Sequence, residues 1–387
     1  MRKTQTTFAL LVCTPMLACA GTLGTWTNVT PAGIDLNPAS FGSDNFGVQD
    51  VLADPVRPSD LYAFTCHQGV WKSVDYGLTW AKINTGTNGA TLDTGKLWTA
   101  AIEPSANRDP NTPPTLWTTT GNNAAGVWKS VDGGVSWTSY AVNNATAAAA
   151  SGNSYFGNDV YALDVDPNDA LHLIAGFHGY PGISESIDGG AHWTTIVVPI
   201  GIGASLYPFF VHTGNAATTR TTWLTQAQWD SNTAGIWRTN NSGMTWAHVA
   251  PSYEHKHGST QFYQPGNNVV YAPSVNPNGV FRSSDGGQTW TPISAMLANA
   301  VFATPAHLYS QDSFASAGSY SPNLYFSTPQ QDTQWMPMTV VPAMGNGAKR
   351  AAVTHTGATY VIVSGNWLGG IWRYEENADG IFADGFQ

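Results

Sequence analysis

Gly126-Val-Trp-Lys-Ser-Val-Asp-Gly-Gly-Val-Ser-Trp137 decides the fold, because the same pattern returns at 69–80, 182–193, 235–246 and 279–290. The shared core is Ser-x-Asp-x-Gly-x-x-Trp, with Thr239 and Asn241 in place of Ser and Asp in the fourth copy. Each position has a physical task. The glycine permits a positive φ in a tight turn. The aspartate side chain can take backbone amides across that turn. The closing tryptophan opens the next strand and buries a large surface. Four aspartates and one asparagine in register invite a catalytic or calcium reading, but the pattern reads as hairpin architecture.

The five copies resemble the Asp-box of the BNR repeat family, and the resemblance covers nearly the whole chain after residue 20. It implies an all-β chain folded as a β-propeller. Box spacings of 44 to 57 residues suit four short strands per blade. Innermost strands are expected at 48–54, 97–103, 160–166, 207–212, 259–263, 299–303 and 351–355, with second strands following each. Leu324-Tyr-Phe-Ser is a degenerate sixth copy. Gly370-Ile-Trp-Arg-Tyr374 begins a seventh, with no strand after it. Gly24-Thr-Trp-Thr-Asn-Val-Thr30 resembles the strand that follows each box. The expectation is therefore a seven-bladed β-propeller with Asp-box repeats, the last blade closed by the N-terminal strand. Such closure removes free sheet edges. Six blades is the alternative if the copy at 324–335 is misread.

Length alone would suggest two or three domains in 387 residues, but a repeat architecture overrides that prior. The expected division is 1–20 signal peptide, 21–376 propeller and 377–387 short C-terminal tail. Arg2 and Lys3, an apolar stretch from Phe8 to Leu17 and Ala18-Cys19-Ala20 read as an export signal cleaved after Ala20. The expected location is secreted or periplasmic, and a lipoprotein through Cys19 is the lesser alternative. That leaves Cys66 alone, so no internal disulfide is available. Charged residues are only 10% and the net charge is −10, which disfavours nucleic acid. No later segment is long and apolar enough for a membrane span. A monomer without cofactor or metal is expected, since no ligand spacing of an accepted kind occurs.

In a propeller the loops from outer to next inner strand share one face with the second-to-third strand loops, and the boxes lie opposite. By fold analogy the first face carries sites. Its loops bring aromatics together with Asn, Asp and His, which is the chemistry of sugar recognition. The candidate catalytic residues are Asp230, Asp44, His67, His178, Tyr180 and His257. The candidate substrate-binding residues are Trp229, Trp367, Asn123, Asn366, Tyr155, Lys96 and Arg350. A glycosidase needs two carboxylates flanking the bond, offered by Asp44, Asp93, Asp159, Asp230, Glu254 and Asp312. A polysaccharide lyase would use a His or Tyr base with a cation to hold an acidic sugar.

The resemblance narrows this. Sialidases share the box and hold a carboxylate with three arginines. Here Arg238, Arg282 and Arg373 sit just before boxes, and Arg57, Arg108 and Arg220 fall on the box face. Only Arg350 remains, so sialidase activity is not expected. The stretch from Val51 to Trp71 resembles the opening blade of xyloglucanase-type hydrolases, but Cys66 stands where that family has Asp. Photosystem II assembly factors resemble the chain in repeat and blade count and imply protein binding. The expected function is a secreted propeller that binds or processes a glycan or polysaccharide at the channel mouth, in glycoside-hydrolase style. A lyase and a non-catalytic protein-binding scaffold are the alternatives.

Overall fold

A computed structural model describes residues 22–106, 108–121, 125–199, 201–202, 204–228, 234–251, 262–275, 277–296, 298–311, 324–327, 331–339, 341–345 and 350–378. Its strands form seven four-stranded antiparallel sheets. Blade 1 comprises Val48–Ala53, Leu61–Thr65, Val70–Ser73 and Ala81–Lys82, in that order from the channel outward. Blades 2 to 6 repeat the scheme, with inner strands Lys96–Ile102, Val160–Asp166, Ala204–Phe210, Tyr263–Gly266 and Ala300–Ala303. Blade 7 takes Arg350–His355, Thr359–Gly365 and Ile371–Asn377 from the end of the ring, and Thr27–Asn28 from its beginning. The chain is thus a seven-bladed β-propeller, and the six-blade alternative is set aside because 324–327 builds the third strand of blade 6.

One strand departs from expectation. The inner strand of blade 5 begins at Tyr263, where the sequence reading ended it, and 259–261 lie outside the described residues. Pro265-Gly266 reads as a turn in sequence. An inner edge facing a channel demands fewer ladder N–H donors, which leaves room for a proline there.

The boxes are closed hydrogen-bonded turns. In blade 2, Ser130 Oγ donates to Asp132 Oδ1 at 2.7 Å and accepts from Gly134 N at 2.8 Å. Asp132 Oδ1 then accepts from Ser136 N at 2.9 Å. The same geometry recurs at Ser73–Asp75–Gly77, Ser186–Asp188–Gly190, Thr239–Asn241–Gly243 and Ser283–Asp285–Gly287. These carboxylates are occupied by their own turn. For Asp188, slight burial pushes the pKa up, but the His192 amide and ring and the Ser186 hydroxyl outweigh it and hold it at about 2.

Cations just before the boxes stitch neighbouring blades. Arg238 Nε donates to Gly286 O, and Arg373 Nε donates to Tyr76 O, each at 2.8 Å. Arg282 pairs with Asp332 at 2.5 Å. These three arginines are therefore committed to the ring. On the box side, Arg57 and Arg108 meet Asp54, and Arg220 meets Asp169. Among the described residues no helix is long and apolar enough to cross a membrane.

Blade 3 carries a buried titratable link. His172 Nδ1 faces Asp166 Oδ2 at 3.2 Å, and Nε2 faces Glu185 Oε1 at 2.8 Å. Burial pushes the imidazole pKa down and Arg220 adds to that, but the two carboxylates prevail and the net shift is upward. A raised pKa stabilises the fold fully below the unfolded value of about 6.5, and that contribution is lost as pH rises through the folded value. Unfolding free energy is therefore expected to fall on the alkaline side of 6.5 in the wild type. His172→Gln is expected to flatten that slope. Denaturant melts from pH 5 to 9 check it, and an unchanged slope in the variant would refute the assignment.

Candidate functional site

The mouth is the end of the channel at which the inner strands begin. Loop 31–47 forms its rim over blade 1. Gln68 pins this loop, accepting from Asp35 N at 2.5 Å and donating to Asp35 O at 2.8 Å. Asn45 Nδ2 donates to the carbonyls of Asp35 and Asn37. The loop is thereby a fixed shelf that presents Phe41 and Asp44.

Asp44 is the centre of the rim. Its Oδ1 lies 2.7 Å from Lys96 Nζ, and its Oδ2 lies 3.3 Å from His67 Nε2. Partial burial raises the carboxyl pKa, but hydrogen bonds and charge from Lys96 and His67 overcome that and hold it low. Three of the candidate carboxylates lie on described mouth segments, with side-chain exposures of 43% for Asp44, 32% for Asp93 and 0% for Asp159. Asp93 is engaged by Lys82 Nζ at 2.7 Å and by Asn84. Asp44 is thus the most exposed of the three, and its carboxyl is the one shown to be held low by its neighbours. His67 Nδ1 faces Thr94 O at 3.0 Å, and the ring stacks on Phe41 at 5.1 Å. Phe41 is exposed, so an aromatic face and a carboxylate stand side by side.

A second group lies over blade 3. Asp159 Oδ2 meets His178 Nδ1 at 3.2 Å, and the His178 ring stacks on Tyr161 at 4.0 Å and 11°. Tyr180 packs on Phe156 at 4.6 Å, and Phe156 packs on Tyr155 at 5.1 Å. Between the two groups, Trp98, Trp367 and Tyr161 form a buried aromatic cluster with Phe46 against it. Trp98 lies 4.5 Å from Tyr161 and 5.9 Å from Trp367.

These positions sort the sequence candidates. Asp44, His67 and Lys96 come into one contact set; His178, Tyr180 and Tyr155 line the adjoining one. Trp367 is not an exposed stacking platform. Its backbone bridges to Val48 in both directions at 3.1 Å, and its ring is closed off among aromatics. Asn366 is likewise fully buried, bonded to Ser364, so it reaches no ligand at the surface. Asp230, His257, Trp229 and Asn123 lie outside the described residues. Cys66 is buried, its Sγ donating to Asp44 O, and burial pushes the thiol up to about 11, which makes it inert.

Among the described residues of the mouth, several non-glycine residues hold positive φ, including Phe41 at 54°, Ser43 at 66°, His67 at 60°, Ser205 at 57° and Trp367 at 38°. Such strain concentrates where a surface is held in one working shape. Part of it has a local cause: His67 N bonds Gly95 O of the next blade, as Trp367 bonds Val48.

Below the mouth, all seven blades line a cavity of about 240 Å³. Its polar groups include Asp50, Thr99, Asp164, Tyr207 and Arg350, which starts its strand at the mouth end. Burial pushes Asp50 up despite Arg350 and two amides. Burial pushes Asp164 up to about 7 against the Phe210 and Val165 amides, although its carboxyl opens partly onto the channel. Asp164 also borders a second cavity of about 330 Å³ at the far end, with Pro55, Pro104 and Pro167 at its rim. No set of three or more metal-ligating side chains occurs among the described residues.

Sequence reasoning missed Phe41, Asp50, Trp98, Tyr161, Tyr207 and Asp164. It looked for function in the loops, whereas all of these but Phe41 lie on inner strands. The signal for Asp50 and Asp164 was present: each is a charged residue in the middle of a mostly apolar inner strand.

No family model matches the chain. A xyloglucanase of Paenibacillus sp. is 26% identical over 288 residues, covering 64% of this chain and 26% of that protein. The chain therefore spans about a quarter of the length of that relative. Among solved structures, YCF48 from Cyanidioschyzon merolae superposes with a TM-score of 0.54 at 11% identity, over 92% of this chain and 99% of that one. YCF48 bound to D1 peptide gives 0.56 at 11% identity, over 90% and 96%. These likenesses agree in fold with a BNR-type β-propeller.

Proposed function

We propose that this chain recognises a glycan across the mouth above blades 1 to 3 and cleaves it as a glycoside hydrolase does, with Asp44 as the ionised carboxylate. The observation that carries the reading is the Phe41–His67–Asp44–Lys96 set: an exposed ring for an apolar sugar face beside a carboxylate held by a lysine and an imidazole. Retaining and inverting glycosidases both need one carboxylate kept ionised and one kept protonated. Asp44 is held low, while Asp50 is pushed up in the cavity beneath. The sequence likeness to a xyloglucanase points the same way. Export with cleavage after Ala20 is part of this proposal, since the polysaccharides of cell walls and matrices lie outside the cell.

The test is a reducing-end assay with the purified protein on a polysaccharide panel, run beside direct binding. Asp44→Asn is expected to lower turnover by about 100-fold or more while binding persists. Phe41→Ala is expected to weaken binding by roughly tenfold through lost stacking. An unsaturated product absorbing in the ultraviolet would move the chemistry to His178 and Asp159 as a lyase pair. Absence of both product and binding on every sugar would sink the reading.

One observation favours a protein partner as a second reading. Val74, Val131 and Ile187 occupy the variable position of three boxes and are 64%, 71% and 64% exposed. They stand on the face opposite the mouth, so a protein docked there would leave the glycan site open.

A further inference from the structure

Arg350 opens the inner strand of blade 7 and enters the channel just beneath the mouth. A guanidinium carries five N–H donors and is always charged. Here it makes no hydrogen bond to any described residue. Among the described residues its one ionic contact is Asp50 Oδ2 at 3.8 Å, too long for a hydrogen bond. Its Nε is buried without a partner, and its side chain is only 14% exposed. A largely buried cation with idle donors is costly and calls for an acceptor.

The surroundings say what kind. Asp50 accepts from Val51 N at 2.9 Å and from Ala100 N at 3.1 Å, so both of its oxygens already have donors. Burial drives its pKa up further than Arg350 draws it down, so it is a poor counter-ion. The cavity has room for one monosaccharide-sized group and not for a chain. It holds a single guanidinium with the carboxyls of Asp50 and Asp164 nearby, so a singly charged carboxylate suits it better than a dianionic phosphate, which those carboxyls would repel more strongly. A planar carboxylate also matches the guanidinium fork. The walls add apolar surface from Val51, Ala100, Val301 and Phe302 for the face of a ring.

We propose that Arg350 takes the carboxylate of a uronate residue at the end of an acidic glycan, which enters the channel from the mouth. This rests on the glycan reading of the mouth. A peptide carboxy-terminus offers the same carboxylate, but the rim above Arg350 presents Asp44, Lys96, His178 and Tyr180, groups that match sugar hydroxyls.

The experiment is calorimetric titration of the full chain with a trigalacturonate, its methyl ester, a neutral xyloglucan oligosaccharide, and a short peptide with free or amidated carboxy-terminus. The acid is expected to bind about tenfold or more tighter than its ester, the size of one lost charge-assisted contact. R350Q is expected to bring the acid down to the level of the ester, and R350K to retain part of the preference. D50N removes the competing carboxyl and is expected to tighten the acid. Melting curves of each variant report that it is folded. If acid and ester bind alike while sugars still bind, or if folded R350Q keeps the preference, the Arg350 assignment fails and the mouth reading stands. If no sugar binds, the mouth reading fails and takes this one with it. Arg350-dependent binding of the free-ended peptide without any sugar would overturn the glycan assignment in favour of a peptide end.

Discussion

Trp26→Ala is expected to lower the unfolding free energy by about 3–5 kcal/mol, the range for emptying a buried tryptophan site. Trp26 is only 6% exposed and lies in the cluster of Phe302, Tyr309, Phe326, Met344, Ile362, Trp372 and Tyr374. Its ring meets Tyr374 at 5.2 Å. The strand that carries it pairs Thr27 with Arg373 and Asn28 with Trp372, and flanking bonds run from Gly24 N to Glu375 O and from Val29 N to Ile371 O. So short a strand cannot hold itself by backbone bonds, and the tryptophan anchors it. Blade 7 is also fixed to blade 6 by Glu376, which accepts from His307 Nδ1 and Tyr309 OH, each at 2.7 Å. That second lock is independent of Trp26. The expected behaviour of the variant is therefore a lower denaturant midpoint with an exposed edge on Ile371–Asn377, and such an edge promotes association. Denaturant melts with light scattering measure both. A midpoint shift worth less than about 1 kcal/mol would mean that the closing strand contributes little to holding the ring.

The closure was legible because Gly24-Thr-Trp-Thr-Asn-Val copies a repeat unit out of place. Repetition makes each ambiguous strand readable from its better-marked counterparts, which is why even the degenerate copy at 324–327 fell in register. Blade 5 was harder, because the inner strand there has little pattern of its own and carries Pro265. The arginines before the boxes were also readable as structural, since their position in the repeat fixes them at the next blade's turn.

The site was less legible for a physical reason. A loop is read from residue types, but whether a side chain reaches a ligand depends on backbone placement that no spacing rule supplies. Trp367 and Asn366 are sugar-binding types turned inward by the bridge to Val48 and the bond to Ser364. Phe41 is a plain apolar residue turned outward by a φ of 54°. Asp44, His67 and Lys96 come from two loops and the start of a strand, so only the ring brings them together. Arg350 was isolated in sequence by assigning the other arginines to the repeat; its unsatisfied donors could be seen only in three dimensions.

The Asp54–Arg108 pair gives the other large expected effect, and it is asymmetric. Arg108 Nη2 meets both Asp54 oxygens at 2.5 and 2.7 Å, with side-chain exposures of 2% and 0%. Asp54 has further partners: it accepts from Val56 N, Arg57 N and Arg57 Nε. Among the described residues Arg108 has no other side-chain partner, since its Nε and Nη1 are buried without one. Removing one member of a buried pair strands the other, at a cost of about 3–5 kcal/mol. Asp54→Ala strands a guanidinium that has nowhere to turn, and it also uncaps the turn at 56–57, so the full cost is expected. Arg108→Met leaves Asp54 with two amides and Arg57, so a loss of about 1 kcal/mol is expected. The double variant is expected to be more stable than Asp54→Ala alone, because the stranded charge is gone, and the coupling should exceed about 1 kcal/mol. Urea melts of the four proteins complete the cycle. Equal losses in the two single variants would show that Arg108 finds other partners when Asp54 is removed, and that the pair is a local contact and not the tie between blades 1 and 2.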